Sequence, residues 1–288
     1  MKRWMYNALI AAFALAFVVS ATALGIYFWR SHQANSQYDD LANLVQQNRP
    51  TASATTPSVG TDPADPTGTV GTAPIESSQP PTEPWVNVTD PDTGKVIQAL
   101  REYAPLFEIN SDFVGWLSFE GTKINYPVVH HPESTDYYLR RDFYGKYANH
   151  GCFYVREECD VFEPTDNVTI YGHNMQDGSM MAALLDYRKQ SFWEEHKTFT
   201  FDTLTEHHTY EIISVFKTSA TLGKGFQYHQ FVDAQSEKEF DNFVDTCKDL
   251  ALYDTGVTAK YGDKLVTLST CEYSQTNGRL VVVAKRIS

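Results

Sequence analysis

The sequence predicts a mainly β domain with flanking helices, folded as a closed eight-stranded β-barrel and carried behind an N-terminal transmembrane helix and a disordered stalk. Trp4 to Trp29 is a run of 26 residues without a charge, and residues 50 to 94 hold nine of the thirteen prolines. From about Lys95 short apolar runs rich in β-branched and aromatic residues alternate with polar turns, the pattern of a closed or nearly closed β-barrel. With 42% hydrophobic and 14% aromatic residues, the 288-residue chain is too apolar to be disordered throughout.

The apolar run exceeds the roughly 20 residues a helix needs to cross a bilayer. Lys2 and Arg3 precede it and only Arg30 follows. The inside-positive bias therefore makes residues 1–30 a cytoplasmic tip and single-pass membrane anchor, with the rest of the chain outside the cell. The alternative is a cleaved signal peptide, for which Ala21, Thr22 and Ala23 offer a site, but the apolar run continues past it through Leu24, Ile26, Tyr27, Phe28 and Trp29. Residues 31–94 read as an extracellular stalk. Pro, Thr, Ser, Gly and Asp, with no aromatic residue between Pro50 and Trp85, bury too little apolar surface to offset the entropy of ordering. The work of such a semi-stiff segment is reach. At its start, Tyr38, Leu41, Leu44 and Val45 stand at helical spacing and predict a short helix within 31–49.

Residues 95–288, with only four prolines, form the folded domain. Strands are expected at Val114 to Phe119, Ile124 to Val129, Gly151 to Val155, Asn167 to Tyr171, Thr198 to Phe201, Tyr210 to Lys217, Lys264 to Thr270 and Leu280 to Lys285. Three helices are expected with them. One opens the domain over Val96 to Leu106; a second starts near Asp177 or Ser179 and buries Met181, Leu184 and Leu185. A third begins at the capping box Ser236 and Glu239, lays Phe240, Phe243, Val244, Cys247 and Leu250 on one face, and ends near Leu252.

Net charge is −13, of which residues 95–288 carry −9. A nucleic acid is excluded as a partner, because no basic stripe is available for phosphates. No CxxC pair points to zinc, and the adjacent pairs His130/His131 and His207/His208 would point to opposite faces of a strand, so neither metal nor cofactor is implied. Tyr126, Tyr137, Tyr138 and Tyr144 read as core more readily than as a groove.

Each cysteine is weighed singly. Cys247 falls on an apolar helical stripe and reads as filler. Cys152 and Cys159 would lie about 23 Å apart on an extended chain, so only a tight hairpin could pair them. Cys271 ends a strand and faces the polar loop from Glu272 to Gly278, the placement of a reactive group on a firm support. A thiol needs a basic or cationic neighbour to act as a nucleophile. His173 lies just past the end of the strand Asn167 to Tyr171, and Arg279 opens the last strand, which pairs with the Cys271 strand if the connection is a hairpin.

At these residues the chain resembles the sortases, membrane-anchored cysteine transpeptidases of Gram-positive bacteria. Thr267, Leu268, Ser269, Thr270 and Cys271 match the family's TLxTC signature, with Arg279 and His173 in the expected places. The words YGHNM (Tyr171 to Met175) and DGSM (Asp177 to Met180), the helix before the cysteine strand and an N-terminal helix resemble class B. The resemblance implies cleavage of a C-terminal sorting signal after Thr, a thioester on Cys271, and transfer to a peptidoglycan amine that anchors a secreted protein to the wall. His173 would be the general acid and base, and Arg279 the oxyanion donor, helped by a backbone N–H near Glu272. Ser269, Thr270, the Glu272 backbone and Asn174 would contact the substrate. Pilin polymerisation onto a lysine and simple peptide hydrolysis are the alternatives. A papain-like peptidase is disfavoured, because there the cysteine precedes the histidine and opens a helix. A non-catalytic adhesin needs only the stalk.

Overall fold

The structure is a computed structural model and describes residues 3–50 and 83–288. The centre of the expected stalk, residues 51–82, lies outside the described residues. Among the described residues, ten strands follow a long first helix, α1 (Arg3–Asn48). Strands β1 (Trp85–Thr89) and β2 (Val96–Leu100) form a separate antiparallel hairpin with Trp85 opposite Leu100.

The other eight close into a barrel: β3 (Phe113–Ser118), β4 (Asn125–Val129), β5 (Phe153–Val155), β6 (Asn167–Tyr171), β7 (Thr198–Thr203), β8 (Thr209–Ser219), β9 (Leu265–Cys271) and β10 (Gly278–Arg286). The order around it is β10, β8, β7, β3, β4, β5, β6, β9, returning to β10. All eight expected strands are present. Their runs of buried Val, Ile, Leu and Phe are what a wall covered on both sides requires. The β4/β5 and β6/β9 pairs are parallel and the remaining neighbours antiparallel.

The helices differ more from expectation. Val96–Leu100 is strand, not helix: its β-branched residues pair with β1, whose partner segment hides in proline-rich sequence. The helix that follows, α2 (Ala104–Ile109), starts only where Pro105 can occupy the first turn. The segment after His173 forms a 3-10 helix, Met181–Arg188, rather than an α-helix from 177 or 179. Asp177 Oδ1 accepts from the Ser179 amide at 3.0 Å and Met180 takes φ 58°, so residues 177–180 are a turn. Met181 and Leu184 are buried there and Leu185 is half-buried. A short helix, α3 (Gln190–Glu195), precedes β7.

Helix α4 (Glu237–Asp249) has the capping box: Ser236 Oγ accepts from the Glu239 amide, and Glu239 accepts from the Gln235 amide. Its Phe240, Phe243, Val244 and Cys247 cover Ile213, Phe216, Val281 and Val283 on β8 and β10. Leu250 lies beyond its end and is exposed.

Helix α1 does not stop at the end of the apolar run. Its first part is long and apolar enough to span a bilayer, with a mean hydropathy of 2.4 and none of that window buried. The same helix continues to Asn48, and Ala34, Tyr38, Leu41 and Val45, spaced 4, 3 and 4 apart, are buried. Tyr38, Leu41 and Val45 belong to the main core along with Phe113, Trp116 and Tyr126. The long amphipathic helix that opens onto the barrel is therefore the C-terminal third of α1, while residues 96–106 divide between β2 and the start of the short α2.

Candidate active site

Register builds the site. Strand β6 runs parallel to β9 with Ile170 opposite Leu268 and Tyr171 opposite Ser269. His173 and Cys271, two residues beyond that last pair, therefore leave neighbouring strand ends at the same level. Strand β10 returns antiparallel along β9 and sets Arg279 directly opposite Cys271. Residues opposed in this way point to one face of the sheet, with their Cβ atoms about 5 Å apart.

Hydrogen bonds lock this arrangement. Asn174 Nδ2 donates to the Cys271 carbonyl at 3.1 Å, tying the histidine loop to the cysteine. Thr270 Oγ1 donates to the Gly172 carbonyl at 2.8 Å, and the Gly172 amide to the Ser269 carbonyl at 3.3 Å. Gly172 has to lack a side chain here, because a Cβ would lie 2.7 Å from the Phe153 ring and 2.8 Å from Met181. His173 Nε2 lies 2.7 Å from the Leu139 carbonyl oxygen in a 3-10 turn, Tyr137–Arg140. A carbonyl can only accept, so Nε2 carries the proton and Nδ1 is the ring nitrogen left to exchange one.

The neighbours expected at the substrate are engaged in the framework. The Thr270 hydroxyl holds β6; the Ser269 hydroxyl is buried 2.5 Å from the Tyr228 hydroxyl. The Glu272 amide donates to the Gly278 carbonyl at 2.9 Å, because the hairpin closes there, so it is not the spare N–H expected near the thiol. The buried Glu272 carboxylate accepts from the Ser274 amide and hydroxyl and from Lys217 Nζ at 3.2 Å. Burial alone would push its pKa up, but these hydrogen bonds outweigh burial and hold it below the ordinary carboxylate value. They pin the start of the loop from Cys271 to Arg279. Gln275 Nε2 on the Thr218 carbonyl and Ser219 Oγ on the Thr276 carbonyl pin the rest to β8. Arg279 is half-buried, with Nη1 donating to the Gly278 carbonyl at 3.0 Å.

Of the four cysteines, all unpaired, Cys271 alone is half-exposed. Cys152 and Cys159 bond instead to the Pro127 and Asn167 carbonyls, and no hairpin joins them. Burial pushes the Cys152 thiol up to about 12 and the Cys159 thiol up to about 11, and drives Cys247 well above the usual range. These three are therefore poor nucleophiles. The histidine pairs are less alike than expected: His208 is buried, while His131 and His207 each contact an aspartate. Tyr126 and Tyr138 are core, Tyr137 is half-buried and Tyr144 exposed. Two contributors have no signature in sequence. Leu139 acts through its carbonyl, which every residue carries, and Tyr228 comes from a short 3-10 turn, Tyr228–Gln230.

A family model for the sortase domain matches residues 117–287, a span that includes His173, Cys271 and Arg279. The chain belongs to the sortase family. Sortase B of Staphylococcus aureus (strain NCTC 8325 / PS 47) is 33% identical over 188 residues, 65% of this chain and 75% of that protein. The crystal structure of sortase B from B. anthracis in complex with AAEK1 aligns with TM-score 0.66 and 25% identity, covering 91% of this chain and 99% of that one. A Staphylococcus aureus sortase B–substrate complex aligns with TM-score 0.60 and 33% identity, covering 65% of this chain and 85% of that one. Within the family the chain is of class B, and it is a cell-wall transpeptidase.

Proposed function

We propose that this sortase cleaves a C-terminal sorting signal after its Thr, holds the acyl group as a thioester on Cys271, and transfers it to a peptidoglycan amine, so anchoring an exported protein to the wall. The observation that carries this reading is the register placing Arg279 opposite Cys271 and His173 at the same strand end. The Cys271 thiolate attacks the Thr carbonyl carbon, and the carbonyl's π electrons move to its oxygen. His173 gives a proton to the departing amide nitrogen, the C–N bond breaks, and the thioester remains. The incoming amine loses its proton to His173 as it attacks, and the thiolate leaves. Arg279 donates to the acyl oxygen while it bears negative charge, which favours the tetrahedral state over the bound peptide.

Lys2 and Arg3 before the apolar run set the N-terminus in the cytoplasm and the barrel outside, with the chain held in the cell membrane through residues 4–29. A Staphylococcus aureus sortase B has been solved with its substrate, which supports a peptide as the ligand here. The test is incubation of the chain with a panel of NPxT-type peptides, with and without an amine, followed by mass spectrometry. Wild type should yield a protein adduct heavier by the acyl fragment and an amine-ligated product. Cys271→Ala should yield neither, and cleavage at the wild-type rate by Cys271→Ala ends the proposal.

A further inference from the structure

The hydrogen bond that fixes the His173 proton is not held up locally. Leu139 sits in the turn Tyr137–Arg140, and the chain returns against that turn at Gly151. The Cys152 amide donates to the Tyr138 carbonyl at 3.1 Å, and the Ala148 amide to the Arg140 carbonyl at 3.0 Å. Gly151 has φ 60°, and a Cβ there would lie 2.7 Å from both the Leu139 and Tyr138 carbonyl oxygens. Residue 151 therefore presses directly on the carbonyl that accepts from His173, with no slack between them.

The Gly151 carbonyl is in turn gripped by α1. The buried Tyr38 hydroxyl donates to it at 2.7 Å, and His150 Nδ1 donates to the same oxygen at 2.8 Å. The Tyr38 ring stands edge-on to His150 at 5.5 Å and to Tyr126 at 5.1 Å. The Tyr126 hydroxyl accepts from the Met180 amide at 3.1 Å, and the next amide, Met181, donates to the His173 carbonyl at 2.9 Å. One side chain of the long first helix thus touches both supports of His173: the acceptor of its ring proton, through Gly151, and its own backbone, through Tyr126.

We propose that Tyr38 is a positioning residue for His173, so that its hydroxyl, seated on the Gly151 carbonyl, sets the orientation of the imidazole that moves the proton. This rests on the reading of His173 as general acid and base. Without that hydroxyl the Gly151 carbonyl loses a donor, the 138–152 segment relaxes away from Leu139, and His173 samples orientations in which it cannot reach the leaving nitrogen. A shift of that kind costs turnover rather than peptide affinity.

Tyr38→Phe in the full chain, in detergent, removes only the hydroxyl. It should lower kcat about tenfold with KM changed less than about twofold. In the 15N-histidine spectrum the His173 Nε2–H signal, assigned by its loss in His173→Ala, should shift or broaden. Leu41→Ala, on the same buried face of α1 but with no hydrogen bond to Gly151, should lower Tm while leaving kcat and that signal unchanged. Gly151→Ala, which drives a methyl into the Leu139 carbonyl, should reproduce the Tyr38→Phe pattern. Unchanged kcat and signal in Tyr38→Phe, or the full pattern in Leu41→Ala, overturns the coupling. A fully active His173→Ala instead overturns the function on which the coupling rests, so the two failures are told apart.

Discussion

In the proposed mechanism Arg279 faces two demands that a point charge does not meet together. Its Nη1 donates to the Gly278 carbonyl at 3.0 Å, which steadies the guanidinium across the mouth of the hairpin, and the remaining N–H groups of the planar fork are free of that bond. Because Arg279 is opposite Cys271, donors on that fork can meet an oxyanion growing beside the thiol. A lysine keeps the charge but has one nitrogen, which would either cap Gly278 or reach the oxyanion. Arg279→Lys is therefore expected to lose about 10²- to 10³-fold in kcat/KM, the usual cost of removing one oxyanion donor. Most of the loss should lie in kcat, because the bond matters in the tetrahedral state. Continuous cleavage of a quenched fluorescent sorting peptide measures this, and activity within threefold of wild type shows that charge alone suffices.

Between elements, the turn from β7 to β8 meets the end of α1 and the start of α2 through a small charged cluster. His207 Nδ1 lies 2.8 Å from Asp202 Oδ2, which also accepts from the Tyr103 hydroxyl at 2.7 Å. His207 Nε2 and Arg49 Nε approach the buried Glu102 carboxylate at 3.5 and 3.8 Å. The hydrogen bond to Asp202 raises the His207 pKa above that of a free histidine. Burial pushes Asp202 up, but the His207 and Tyr103 hydrogen bonds outweigh it and hold it low. A raised histidine contributes stability that is complete below about pH 6.5 and is lost as pH rises through its folded value. A depressed aspartate contributes above about pH 3.9 and loses its contribution as pH falls through its folded value. His207→Gln should therefore lower Tm most near pH 5 to 6 and least at pH 9, where only the hydrogen bond of the neutral ring to Asp202 is left to lose. Because the His207 side chain is 55% exposed, the shift should stay within about 3 °C. Thermal melts of the two chains across pH decide it, and a difference that grows above pH 7 contradicts the sign. The elements this cluster joins are the ones sequence showed least clearly. The barrel strands are uninterrupted runs such as Leu265–Cys271, and Cys271 and Arg279 follow from a hairpin that chain order alone implies. The β1/β2 hairpin has strands of five residues with Trp85 and Val96 exposed, so no apolar run marks it. The docking of α1 was half visible, as Tyr38, Leu41 and Val45 at helical spacing. The surface they cover belongs to residues far along the chain.

For the molecule as a whole, in the proposed membrane-anchored topology the continuity of α1 is expected to determine how far the site stands from the membrane. Tyr38 lies nine residues past Trp29, so a helix rising about 1.5 Å per residue sets it roughly 14 Å beyond the end of the apolar run. The described residues on either side of 51–82 are both attached to the domain. Pro50 and Pro84 line the same cavity of about 460 Å³, beside Arg49, Leu100, Glu102 and His207. The Arg101 amide and side chain donate to the Pro84 and Glu83 carbonyls at 2.8 and 2.6 Å. With its two flanks at one place on the domain, we expect the length of the proline-rich segment not to set how far the domain reaches. Deleting residues 55–78 leaves eight linking residues, which still span up to about 26 Å when extended. That deletion should leave the yield of wall-anchored substrate, measured by surface labelling of whole cells, within about twofold of wild type. Because loop-closure entropy changes only slowly with length, Tm should also move little. A tenfold fall in anchoring with an unchanged melt, and with peptide cleavage intact in the isolated protein, would instead establish the proline-rich segment as the spacer its composition resembles.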